Sequence, residues 1–416
     1  MNPSLLSRNI PLFYLYQFLN SFILDRGIWM LYLAARGFTL TEIGIIEALY
    51  HAVIFIFEVP TGYIADRFGN RTSLLLSQVL GLLASGCLVL ASDPLYIIAG
   101  FILGAFVGTL QSGATSALVY ETLKMQGKAD AFKKLISRLS AIVLISMGLS
   151  GSAGGFLSDL HWEWVYIGKM IIHLISFLIV LMIIEPLHIG SKEAGSDSLL
   201  SGVTKLSFIN QLREGASFIR GSRPFLTMSL FGALLYSMSW SISFYSQILF
   251  QKNGLANSTI GTVNGLETWI SAAITAVAYL GERWLGKKIS LILSASGFAC
   301  CLVLFSASEG SVMIISCFFL LSIFISYLEP LLEAYLNELV PSSMRATMLS
   351  VFNMMVSAGM MVTFLLLGVL GDHMGVFNAL RSVLIVWIPL LIITMLWCLK
   401  YNLNKSASLS NLSNTK

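Results

Sequence analysis

Charge is what this chain has least of. Only 11% of its 416 residues are Asp, Glu, Lys or Arg, while 56% are hydrophobic. A soluble domain carries about 25% charged residues, so a globular surface facing water on all sides is excluded. Short segments of alternating polarity are missing too, which argues against a closed β-barrel. Metal-ligand spacings and nucleophile–base sets are absent, so neither an enzyme nor a cofactor is expected. The five cysteines, Cys87, Cys300, Cys301, Cys317 and Cys398, all sit in apolar runs without disulfide-framework spacing and read as small packing residues. A leader cleavage site is also missing. The first apolar run is too long for a signal peptide and is expected to stay as a span.

What fills the sequence is unbroken apolar runs. A hydrocarbon core about 30 Å thick needs about 20 such residues per helix, and lipid requires every backbone group to be satisfied internally. The runs predict twelve spans, over 11–35, 41–63, 73–92, 94–121, 137–158, 164–186, 225–250, 258–280, 289–307, 311–337, 346–370 and 377–399. With the N-terminus inside, twenty of the 25 Lys and Arg fall in cytoplasmic segments. Arg36, Lys169, Lys252 and Arg381 fall outside, and Arg26 lies within a span. The positive-inside rule then puts both termini on the cytoplasmic side of the membrane. The net charge of +4 reflects topology and gives no reason to expect nucleic-acid binding.

The halves repeat at an offset of 217 residues. Gly37, Ile43 and Gly44 match Gly254, Ile260 and Gly261, and Ala117 and Glu121 match Ala334 and Glu338. Near the same offset, Tyr63, Asp66 and Arg67 match Tyr279, Glu282 and Arg283. An even number of spans per half makes this a parallel repeat. The expected domains are an N-terminal six-helix bundle (1–186), a cytoplasmic linker (187–224), a C-terminal six-helix bundle (225–400) and a cytoplasmic tail (401–416). A short interfacial helix is expected over 206–219.

Glu58-Val59-Pro60-Thr61-Gly62, with Ala65-Asp66-Arg67-Phe68-Gly69 and Arg71, resembles the signature loop of the major facilitator superfamily. Asn337-Glu338-Leu339-Val340-Pro341 and Arg345-Ala346-Thr347 resemble its counterpart ahead of span 11. Ser112-Gly113-Ala114 and Ala117 to Glu121 resemble bacterial efflux members of the group. Two positions depart from the pattern. Asn70 stands where a basic residue is usual, and the span-5 run from Gly148 to Gly155 lacks the usual proline. The resemblance implies an all-α membrane protein with 12 transmembrane helices in two pseudo-symmetric six-helix bundles.

It also implies a cytoplasmic gating loop. Asp66 would sit against the exposed N–H groups at the start of span 11, as carboxylates do at helix N-termini. Arg67 and Arg71 would pair with Glu121, and Glu282, Arg283 and Glu338 would repeat the arrangement. Gly62 and Gly69 would let the loop turn. The alternative is plain topology charge. Gly281 to Lys287 superficially matches a phosphate-binding loop, but no Ser or Thr follows Lys287 and no βα unit surrounds it, so an ion gradient is the expected energy source.

An ionisable residue at bilayer depth costs about 2.5–3.5 kcal/mol on insertion scales, which singles out Asp25, Arg26, Glu47, His51, Glu267, Glu329 and Glu333. Glu58 joins His51 and Glu47 on one stripe of span 2. Arg26 can pair with Glu47 and fix spans 1 and 2 together, or the same charges can serve substrate and proton. Glu267 has no cation nearby in sequence, and desolvation would let it exchange a proton. Glu329 and Glu333, one turn apart, can share one, or Glu333 can be a gate, and Pro330 between them is expected to break span 10 locally. Gln111, Tyr236, Trp240 and Asn264 complete a cavity suited to an amphipathic compound, although each aromatic alone also fits ordinary packing.

These residues point to secondary transport. The leading expectation is a monomer in the bilayer that exports a small amphipathic drug or metabolite by proton antiport. The alternative is proton-coupled uptake of a small, even anionic, metabolite, which Arg26 and the missing span-5 proline favour. A signalling receptor and a membrane enzyme rank below both.

Overall fold

The computed structural model describes residues 6–186 and 221–413, apart from 309 and 342–343. The helix expected over 206–219 lies outside them. The described residues hold thirteen α-helices and no strand. They are α1 Asn9–Asn20, α2 Trp29–Ala35, α3 Leu40–Phe68, α4 Asn70–Val89, α5 Pro94–Gln111, α6 Ala114–Met125, α7 Phe132–Leu160, α8 Trp162–Met182, α9 Arg223–Lys252, α10 Asn257–Ser306, α11 Ser311–Glu338, α12 Arg345–Met374 and α13 Val376–Ser413.

Local sequence explains several ends. Thr39 and Glu42 form a reciprocal capping box ahead of α3, with Thr39 N–H donating to Glu42 Oε2 at 2.8 Å and Glu42 N–H to Thr39 Oγ1 at 3.2 Å. Asp93 accepts from Leu95 N–H at 2.8 Å and Pro94 takes the first helical position of α5, where its missing N–H costs nothing.

Ten described helical stretches are long and apolar enough to cross a membrane. The twelve expected spans reconcile with that number in two places. The first span is broken into α1 and α2, each too short alone. Spans 8 and 9 form one helical stretch, α10, interrupted only at Gly286 (φ 75°, ψ 162°). Gly69, 217 residues earlier, makes the matching turn between α3 and α4 (φ 94°, ψ 152°). Gly37 and Gly254 repeat the pattern with φ of 88° and 80°. Only glycine takes such angles without strain, so the repeat is visible in the backbone. Gly62 is a correction. It lies inside α3 with open space around it, and Gly69 alone makes the turn. The expected break at Pro330 is a second correction, because α11 runs through it. Proline removes a donor to the carbonyl four residues back, and Thr275 Oγ1 donates to that Ser326 carbonyl at 3.1 Å.

The chain divides into two compact units. One comprises Met1–Phe38, Ile45–Lys192 and Gly254–Trp269. Its core joins Phe13 and Tyr16 of α1, Leu74 of α4, Leu118 and Val119 of α6, Leu135 and Leu139 of α7, and Ile179 and Val180 of α8. The start of α10 meets α7 backbone to backbone. A Cβ on Gly151 would lie 2.7 Å from the Gly261 carbonyl, and one on Gly155 would lie 2.5 Å from that of Asn257. Asp159 then accepts from the N–H groups of Asn257 and Ser258 at 3.1 and 3.0 Å, capping the new helix.

The other unit comprises Thr39–Gly44, Glu193–Asn253 and Ile270–Lys416. Helix α9 is its axis, with Phe225, Phe231, Leu235, Met238, Tyr245, Leu249 and Phe250 all buried. The first turn of α3 meets α12 as α10 meets α7. A Cβ on Gly368 would lie 2.6 Å from the Leu40 carbonyl. Asp372 accepts from Leu40 N–H at 2.9 Å and Thr41 N–H at 2.8 Å. Each unit therefore holds one carboxylate-capped, glycine-seated helix start.

Candidate charge-pair site

The first span breaks over 21–28, where Ser21, Asp25 and Gly27, like Asn20 just before them, are weak helix formers. Side chains and small residues hold the break. Ser146 Oγ donates to the Phe18 carbonyl at 2.6 Å. The Leu24 carbonyl occupies the place where a Cβ on Gly154 of α7 would be, and Leu24 Cδ1 would stand 2.7 Å from a Cβ on Gly168 of α8. Irregular backbone at membrane depth is tolerated where protein surrounds it.

Two charges leave this break in different directions. Asp25 meets Lys169 Nζ of α8 at 2.7 Å, and both side chains are largely buried (12% and 19% exposed). Arg26 donates to the Met147 sulfur at 3.1 Å, and Glu267 of α10 is the carboxylate whose charge acts on it. A Cβ on Gly27 would lie 3.1 Å from Asn264 Cβ, so the break and α10 are in close contact at this point. Asn264 itself donates to the Ile260 carbonyl at 2.9 Å. Below it, Trp269 Nε1 donates to the Leu144 carbonyl at 3.1 Å.

These pairings correct two expectations. Glu47 is paired with His51, Oε1 to Nε2 at 3.4 Å within α3, and the charge that acts on Arg26 is that of Glu267. Lys169, counted outside the membrane by the topology tally, lies inside α8. Its signal was a lone cation within the apolar run 164–186.

A second polar chain runs beside the break. His173, one turn after Lys169, shares a 2.8 Å hydrogen bond with Gln78. Gln78 donates to Asn20 at 3.2 Å, and Asn20 and Gln111 donate to each other at 2.9 Å. Ser112 donates to Glu58 at 2.7 Å. His173 fits because Gly81 leaves room for its ring. Sequence reasoning passed over Gln78 and His173, since amides and lone histidines are common packing residues.

The second unit holds a separate acidic group. Tyr236 hydroxyl donates to the Glu329 carbonyl at 3.1 Å, feels the charges of Glu329 and Glu333, and its ring meets Phe352 at 5.7 Å. Trp240 is half-exposed and lies 6.2 Å from Phe244. Tyr245, by contrast, is core, with its hydroxyl on the Phe364 carbonyl at 2.9 Å.

The signature-loop residues divide between the units. Arg67 reaches Tyr63 hydroxyl at 3.0 Å from inside α3. Arg71 donates to the Val180 and Leu181 carbonyls at 3.1 and 2.6 Å, and its backbone N–H to Glu185 at 3.2 Å. Glu121 is half-buried on α6. In the other unit Glu282 accepts from Tyr335 at 2.7 Å, Glu338 pairs with Lys287, and Arg283 is exposed.

The family model described as Major Facilitator Superfamily matches residues 12–253 and 229–414. The chain is 22% identical over 379 residues to the Bacillus subtilis protein described as an uncharacterized MFS-type transporter, YxaM, covering 90% of this chain and 92% of that one. It is 20% identical over 317 residues to the arabinose-proton symporter of the same organism, covering 69% of this chain and 68% of that one. Among solved structures, a POT family transporter in complex with 5-aminolevulinic acid superposes with a TM-score of 0.72 at 14% identity, covering 95% of this chain and 96% of that one. A D-xylose-proton symporter gives 0.67 at 13% identity, covering 96% and 98%.

Proposed function

The chain belongs to the Major Facilitator Superfamily, and from that premise we propose that it exports a small amphipathic compound by proton antiport, with Glu267 as the proton carrier and Arg26 as its counter-charge. The observation that carries this reading is the close contact of α10 with the break of the first span at Gly27 and Asn264, where the charge of Glu267 acts on Arg26. The charge of Glu267 attracts the Arg26 guanidinium. A proton on Glu267 removes that attraction, and a cationic compound can compete with it for the same carboxylate. Neutralising a buried charge shifts the balance between two access states. The halves then alternate access around the site, and a membrane potential supplies about 2.3 kcal/mol per charge per 100 mV to drive the cycle. Asp66 and the other signature-loop residues would latch the cytoplasmic side, and Glu329, Glu333 and Tyr236 would line the second half of the path.

Uptake is the second reading. It is favoured by Arg26, which an anionic solute could engage, and by the symporter among the relatives. Both readings are tested in proteoliposomes with an internal pH dye, challenged with tetraphenylphosphonium, ethidium, a neutral hydrophobic compound and a small organic anion. Loading the lumen with a cation that then exits while the lumen acidifies supports antiport. Lumenal acidification as an external anion enters supports symport. Folded protein that moves no protons with any compound would sink the carboxylate mechanism.

A further inference from the structure

Arg26 follows Asp25 in sequence, and a neighbouring acid is the obvious partner for a part-buried guanidinium. The structure gives it a different one. Asp25 is taken up by Lys169 at 2.7 Å, whereas the charge acting on Arg26 is that of Glu267, on the helix that touches the break at Gly27 and Asn264. The surroundings of Lys169 fix that division. Leu24 is lodged against Gly154 and Gly168, which places Asp25 beside the residue that follows Gly168. The Lys169 ammonium lies over the Tyr166 ring, 5.6 Å from its centroid. Tyr166 is fully buried and packs on Tyr32 with ring centroids 4.5 Å apart.

We infer that Lys169 is a positioning residue: by binding Asp25 it keeps the Arg26 guanidinium for Glu267. A buried carboxylate that loses its cation needs another, and the cation closest in sequence is Arg26. Without Lys169, Asp25 and Arg26 would compensate each other and Glu267 would lose its counter-charge. Asp25 on this account carries no proton in the cycle. Its charge matters only because Lys169 must answer it, so removing both charges together restores the site. The inference rests on the Arg26–Glu267 reading proposed above.

The test is a double-mutant cycle on thermal unfolding of the purified full chain in detergent, which needs no substrate. Arg26→Gln, Glu267→Gln and their combination are measured in three backgrounds: parent, Lys169→Met, and Asp25→Asn/Lys169→Met. Non-additivity in Tm reports Arg26–Glu267 coupling. The expected result is coupling in the parent, its loss with Lys169→Met, and its return in the doubly neutral background. A lysine that only packs would leave the coupling unchanged in Lys169→Met, and that result overturns the inference. So does coupling that stays absent when both charges are gone. If Lys169→Met yields no folded protein, the doubly neutral background decides alone, and it must match the parent. Absence of coupling in the parent itself would overturn the Arg26–Glu267 reading, a separately recognisable failure.

Discussion

The first and seventh spans are repeat mates that the fold treats in opposite ways. The first is broken over 21–28 and sends out a buried Asp25 and a part-buried Arg26. The seventh, α9, is one helix of 30 residues from Arg223 to Lys252 with a buried apolar and serine interior. Positions 217 after Asp25 and Arg26 are Ile242 and Ser243, and Ile242 is 3% exposed. The same backbone role is therefore filled once by a broken, charged segment and once by a packed rod. On the function proposed above, transport is carried by an asymmetry that the repeat does not require. Features that only build the fold are instead duplicated, as the turns at Gly69 and Gly286 and the caps by Asp159 and Asp372 are.

Writing the charge of the first span into the seventh should break the comparison most severely. Ile242→Asp places a carboxylate where no lysine waits, since α13 has no Lys or Arg between Arg381 and Lys400. An uncompensated charge at that depth costs about 2.5–3.5 kcal/mol, and expression with size-exclusion chromatography should show little folded protein. Filling the seat of the break comes next. Gly154→Leu would collide with the Leu24 backbone, and overpacking typically costs about 1–3 kcal/mol, read as a lowered Tm together with lost Arg26–Glu267 coupling. The smallest effect should come from the duplicated caps. Asp159→Ala and Asp372→Ala should each cost about 0.5–2 kcal/mol, and similar losses in the two variants would sharpen the view that these are shared building parts. A large inequality between them would count against it.

Much of the fold was legible because its signals are collective. Apolar runs of spanning length, the basic residues between them and the 217-residue offset each draw on many positions. The break in the first span was not legible, because its apolar run looks continuous and the weak helix formers are scattered through it. Its cause is a fit between Leu24 and two glycines that lie about 130 to 145 residues further along the chain. The charges at Arg26 and Glu267 were visible one by one, while the packing of Gly27 against Asn264, which brings α10 to the break, was not. Lys169 shows how a tally can hide a residue: counting cations by side absorbed the one lysine whose place inside a helix mattered. Gly62 and Pro330 erred the other way, since propensity favours a turn or a break at each, while α3 and α11 continue through them.

The central claim is that Glu267 is the proton carrier of this transporter. The most direct measurement compares parent and Glu267→Gln proteoliposomes, loaded with a compound that evokes proton movement in the parent, by internal pH and compound flux together. The account predicts that Glu267→Gln loses compound-driven proton movement while it still folds and incorporates into the liposomes as the parent does. Undiminished proton movement in Glu267→Gln would contradict it.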